Sequence, residues 1–366
     1  MKRILFVILM LATFSLVAKE DWKAHFKKGD PMVKSINALS FGPEGILFIG
    51  DSENAKVFAI DTQDTEAIEG NNADISLEQF DVKVAELLGT TADQISIEDL
   101  VVNPISKNIY FAVQHTSNTP ILMKIENGVF QFVSLKEVMF SEALLEASIE
   151  AEATDRRGRS MRKWAISDLN YSNGKVMVTG LSNKEFGSTF RSISFPFDEK
   201  QEMSSLEIYH AAHGQFETNS PVKAFTATTI AGIEYVIAAY TCTPLVIFPS
   251  SDLKPNEHVK GRTVAELGNW NTPLDMVVLQ NEGSSYLLMA NSNRALMKIA
   301  LDNVKNFSGS LTEPVTQRGG TAGVEFIALP FVNVLQLDKV SDDTFVMLQR
   351  KSDGQMQLFT SGSRWL

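Results

Sequence analysis

The feature that most constrains this chain is a repeat. The stretch INALSFGPEGILFIGDSENAKVFAID, from Ile36 to Asp61, reads as strand, Gly-Pro turn, strand, polar turn, strand. A three-stranded unit of this kind cannot cover both of its faces, so it requires neighbours of the same build. Five further units follow, beginning at Ile97, Ile166, Val222, Pro273 and Val334. In the second, Asn103-Pro104 occupies the turn held by Gly42-Pro43 in the first. Asn127-Gly128 and Asn173-Gly174 are hairpin signals within the second and third.

Six units of about four strands, closed in a ring, make an all-β, six-bladed β-propeller spanning residues 35–366 as one domain. A seventh, degenerate blade hidden in an inserted segment is the alternative. The units start further apart than the ~40–50 residues of compact blades, and two helical insertions are expected to fill the excess. One lies near 75–89, where ISLEQFDVKVAELLG mixes strand and helix spacing. The other lies near 141–154, where FSEALLEASIEAEA is rich in helix formers behind the candidate N-cap Ser141. The segment 62–98 is expected to supply the outer edge of the first blade.

Ahead of the repeats, residues 1–18 have the layout of a secretory signal peptide. Lys2 and Arg3 precede an apolar run too short to span a bilayer, and a small residue, Ala18, follows. Residues 19–34 form a polar lead-in. Export to the periplasm or the medium is the expectation, with no stable membrane anchor after cleavage. Removing Lys2 and Arg3 leaves 31 basic against 44 acidic side chains, a net charge of −13. A chain so uniformly acidic is ill suited to nucleic acid. The single Cys242 can form no intramolecular disulfide, so an apolar core must carry the fold.

The unit GILFIGDSENAKVFAID, and LLMANSNRALMKIAL in the fifth, resemble blades of the NHL and SMP-30/gluconolactonase-like group. That resemblance implies a propeller and, for the lactonase branch, a divalent ion held by acidic and amide side chains at the channel mouth. The Glu-Gly-Pro opening of that branch is missing here; Ser35-Ile36-Asn37 stands in its place. LSNKEFGSTFRSISFPF, YHAAHGQFET and AAYTCTPLV resemble stretches of exported bacterial propeller proteins of unassigned activity.

Three sets of residues are candidates for chemistry. Aligning the units puts Asp99, Asp168 and Asp275 at equivalent places on the innermost strands, with Ala38, Ala224 and Gln336 in the others. Three converging carboxylates suit Ca²⁺ or Mg²⁺; the bland alternative is that they accept hydrogen bonds from nearby backbone N–H groups or line a wet channel. His210, His213 and Glu217 form the second set, suited to Zn²⁺, Cu²⁺ or Fe, provided a turn starting at Ala211 brings the imidazoles to one side. The third is a crown of polar loops holding His115, Glu185, Cys242, Asn291 and Arg294, expected to face a small molecule or an exported protein partner. As a nucleophile, Cys242 would need His115 or His213 as its base; packing is the plainer role for a lone thiol. There is no P-loop, dinucleotide fingerprint, HExxH or haem-attachment motif. The sequence therefore supports three functions: an exported binding propeller, a metal-dependent hydrolase or lactonase, and a transition-metal redox or accessory protein.

Overall fold

The computed structural model describes residues 21–198 and 200–366; the signal-peptide reading of residues 1–18 lies outside them. Six sheets are present, each led by one of the six predicted units and antiparallel throughout except where His258–Lys260 pairs in parallel with Gln201–His210. Their innermost strands are Ala38–Phe41, Ile95–Val102, Asp168–Ser172, Val222–Ile230, Pro273–Asn281 and Val334–Lys339. No seventh blade is formed among the described residues. Six apolar clusters fill the spaces between sheets, one at each interface of the ring. Burial of these faces is the main force closing the ring. Among the described residues, no helix is long and apolar enough to cross a membrane.

The order of blades around the ring is not their order along the chain. The first blade lies between the second and the third, and the sixth closes against the second. Hydrogen bonds between innermost strands trace this path. Leu39 N–H of the first blade donates to Asp99 of the second at 2.6 Å, and Tyr171 N–H of the third donates to Ser40 Oγ of the first at 3.1 Å. Val102 N–H of the second blade donates to Asp338 of the sixth at 2.6 Å. The chain thus builds three strands of the first blade, crosses to build the second, and returns.

That return overturns one expectation. Residues 141–154 are not helical: Val138–Leu144 is a strand that pairs with Lys56–Asp61 as the fourth strand of the first blade, and Lys27–Gly29 pairs on its outer side. The segment from 145 continues as turns and isolated bridges. Helix propensity loses here to an open sheet edge. Glu142 lies between Lys27 and Lys56, bonded to both at 3.1 and 3.0 Å, while Phe140, Ala143 and Leu145 are buried. The outer edge expected from residues 62–98 is also placed differently. Ser76–Leu77 pairs with Met356–Ser361, so it completes the sixth blade, and the helix α1, Phe80–Leu87, packs beside it. Phe80 and Val84 of α1 are buried between the second and sixth blades.

Candidate metal centre on the loop-bearing face

The aligned aspartates occupy equivalent positions, as a shared backbone irregularity makes plain. The ladder of the second, fourth, fifth and sixth blades shifts register just before Asp99, Ala224, Asp275 and Gln336 respectively. Asp99, Asp168 and Asp275 behave alike. One carboxylate oxygen accepts the N–H of the next residue, at 2.7 Å in each case, and the other accepts an N–H from the adjoining blade. The donors from the neighbours are Leu39 at 2.6 Å, Phe225 at 2.8 Å and Leu337 at 2.8 Å. Asp338, two residues beyond the aligned position, makes the same pair of bonds, to Lys339 and Val102. It was hidden from sequence alignment because Gln336 fills the aligned place; Gln336 donates instead to Glu98 O at 2.9 Å.

These four side chains, on the innermost strands, are half-buried. Burial pushes Asp168 up to about 7 and Asp338 up to about 6. Asp99 and Asp275 are driven well above the carboxylate range by burial first, then by the negative charges of their fellow aspartates. The arrangement stitches neighbouring blades together through backbone N–H groups, while holding like charges close.

The second set is assembled by a hairpin. The outer strand of the third blade, Gln201–His210, ends at His210, and the chain turns through Ala211–Gly214 into Gln215–Glu217. His213 and Gly214 N–H groups both donate to His210 O, at 3.0 and 2.9 Å, and Gly214 has φ +64°. The imidazoles, which would point apart in a continuous strand, are thereby brought together, with ring centres 3.8 Å apart and planes tilted by 39°. Glu217 holds both: its Oε2 is 3.0 Å from His210 Nδ1 and its Oε1 is 2.5 Å from His213 Nδ1. Ser220 Oγ also donates to Oε2. Burial acts to raise the Glu217 carboxyl, but the bonds from His210, Ser220 and His213 outweigh it and hold it at about 2.

Cys242 enters from the fourth blade. It lies in the loop between Ile233–Tyr240 and Pro244–Pro249, which opens on the same face as the His210 hairpin. A ligating atom from each of His210, His213 and Cys242 lies within 4.8 Å of the others. His210 is only 2% exposed, and its Nε2 has no hydrogen-bond partner. A buried ring nitrogen left bare, with the opposite nitrogen fixed by a carboxylate, is the arrangement of a metal-ligating histidine.

Sequence reasoning links Cys242 to His213 only as a nucleophile to its base, and leaves it out of the metal set because it lies in a different unit. What joins them is the fold: the end of one blade's outer strand and the next blade's middle loop rise on one face. Glu266 was missed altogether. It is buried at the end of the fourth blade's outer strand, and its Oε2 accepts the N–H of Ala212, between the two histidines, at 3.1 Å. Burial, helped by the charge of Glu217, pushes its carboxyl up to about 7.

The remaining loop residues do not all converge. Asn291 is buried and accepts a bond from Asn271 Nδ2 at 2.8 Å, while Asn271 O accepts the Cys242 N–H at 2.8 Å. Asn291 thus braces the Cys242 loop rather than facing a ligand. Arg294 reaches Gly319 O at 3.3 Å. His115 sits on the second blade with its Nδ1 bonded to Ser117, and Glu185 lines a separate shallow depression with Phe186 and Met203. The structure brings His213, but not His115, to Cys242.

No family model matches this chain, and no curated protein matches it. Solved structures similar to it in shape include an oxidoreductase described as a glucose dehydrogenase from Thermus thermophilus. It is 10% identical, with 92% of this chain and 100% of that one covered, at a TM-score of 0.37. Drosophila Plexin A, solved with Semaphorin 1b, is 9% identical over 92% and 88% of the two chains, at 0.38. The GH43 endo-arabinanase of Bacillus licheniformis is 10% identical over 72% and 92%, at 0.35. None of these likenesses is close enough to bear on what this chain does.

Proposed function

We propose that this is an exported propeller that binds one transition-metal ion on its loop-bearing face, with His210, His213 and Cys242 as ligands. The observation that carries the reading is the bare, buried Nε2 of His210, in a cluster shared with an imidazole and a thiol. Glu217 is the outer carboxylate that orients both rings, and an imidazole–thiolate donor set selects zinc or copper over calcium or magnesium. Export rests on the signal-like residues 1–18 and the acidic charge. The polar loops around the centre would meet a small molecule or an exported protein partner.

The lactonase-like alternative gains less support. A hard divalent ion at Asp99, Asp168 and Asp275 would have to compete for oxygens that each already accept a backbone N–H, and nothing positions a base beside them. The test is thermal unfolding of the mature protein, stripped with chelator and then titrated with Zn²⁺. Binding to the folded state raises the midpoint with concentration. Wild type should rise and His210→Ala should not; equal behaviour of the two would remove the reading.

A further inference from the structure

The donor set at this centre says more than that a metal is held. Resting on the metal reading above, we infer that the ion is copper, and that the centre passes single electrons between Cu(II) and Cu(I). Three features lead there. The first is the ligand count. Two imidazoles and one cysteine sulfur converge, and among the described residues no carboxylate oxygen joins their group: Glu217 gives Oε1 to His213 and Oε2 to His210 and Ser220, and Glu266, although its Oε1 has no partner, lies outside it. A trigonal set of two nitrogens and one sulfur, without a hard oxygen, matches copper, whereas zinc with three protein ligands fills a fourth place.

The second feature is rigidity of the sulfur ligand. Cys242 and Thr243 are consecutive residues in the left-handed region, at φ +66° and +62°. A β-branched residue there is strained, and the strain is held by surrounding bonds. Cys242 N–H donates to Asn271 O, Thr243 N–H to Tyr240 O and Thr243 Oγ1 to Gly268 O, at 2.8, 2.8 and 2.7 Å, and Leu267 N–H donates to Thr243 O at 3.0 Å. On the other side His210 ends a strand and is locked by Glu217. Ligands fixed in this way change little between oxidation states, which favours outer-sphere electron exchange over chemistry at the metal.

The third is access. His210 is buried, but the side chain of His213 is 47% exposed, so one ligand edge reaches solvent. An electron arriving from a one-electron donor would enter through that edge, convert Cu(II)–thiolate to Cu(I)–thiolate, and leave to a one-electron acceptor by the same path. No bond to the protein is made or broken in either direction.

The experiment is anaerobic titration of the metal-free mature protein with Cu(II), followed by visible absorption and by thiol counting. One equivalent should give an intense thiolate-to-copper charge-transfer band. Ascorbate should bleach it and ferricyanide restore it over repeated cycles, with the thiol intact after removal of copper. Cys242→Ser should lose the band while His115→Ala keeps it, and His213→Ala, altered at an exposed side chain, should weaken or shift it without unfolding the protein. Zn²⁺ bound at one equivalent, with Cu(II) giving no such band or irreversibly oxidising Cys242, would overturn the copper inference and leave the metal reading standing. Failure of every metal to bind would remove both.

Discussion

Replacing Asp168 by Asn separates the two opposing effects of an aspartate between blades. Its carboxyl is raised from 3.8 to about 7, so the folded state holds a proton that the unfolded chain has released. Stability from this group is therefore fully present below about pH 4 and is lost as pH rises through about 7. Linkage between about pH 5 and about pH 8 amounts to roughly 2–3 kcal/mol at most, and screening by channel water brings the expectation nearer ~1 kcal/mol. Asn escapes this loss, but it keeps a single acceptor oxygen, so either the Phe225 or the Leu169 N–H goes unpaired. That costs on the order of 1–3 kcal/mol at any pH. Asp168→Asn should therefore be clearly less stable than wild type near pH 5, and the gap should narrow by about 1 kcal/mol or more near pH 8. Paired urea unfolding curves at the two pH values measure it. A gap that stays constant, or widens with pH, would refute the argument that burial keeps this carboxyl protonated.

Other consequences can be checked more briefly. Glu217→Gln should fold normally yet lose roughly 10- to 100-fold in Zn²⁺ or Cu²⁺ affinity by calorimetric titration, because the rings lose their outer carboxylate. His115→Ala should leave metal affinity unchanged in the same titration, since His115 is bonded to Ser117 on another blade. Gly268→Ala should lower both stability and metal affinity: Gly268 has φ +102°, its carbonyl anchors Thr243, and a Cβ there would collide with the Arg294 guanidinium. Phe48→Ala should cost about 3–5 kcal/mol in denaturant unfolding, because Phe48 is fully buried between the first and third blades against Phe195 and Tyr171.

Much of the architecture is legible in the chain because each blade carries its own local signals. Gly42-Pro43, Asn103-Pro104 and Asn127-Gly128 mark turns that chemistry alone dictates. The order of blades is not local information. Nothing in Val138–Leu144 states that it pairs with Lys56–Asp61 across an entire intervening blade, and its alanine, leucine and glutamate favour helix in isolation. Ser76–Leu77 is likewise too short to announce that it closes the sixth blade. The centre divides in the same way. His210, His213 and Glu217 are visible as a spacing, and the turn they require is present. Cys242 and Glu266 join them only through the packing of the third blade against the fourth.

Elemental analysis of the mature protein after dialysis, wild type beside Cys242→Ser and His210→Ala, tests the central claim most directly. About one equivalent of copper or zinc in the wild type, and loss of most of it in both variants, is the result predicted here. Wild type without metal even after reloading, or variants that retain the ion, would contradict a centre built from His210, His213 and Cys242.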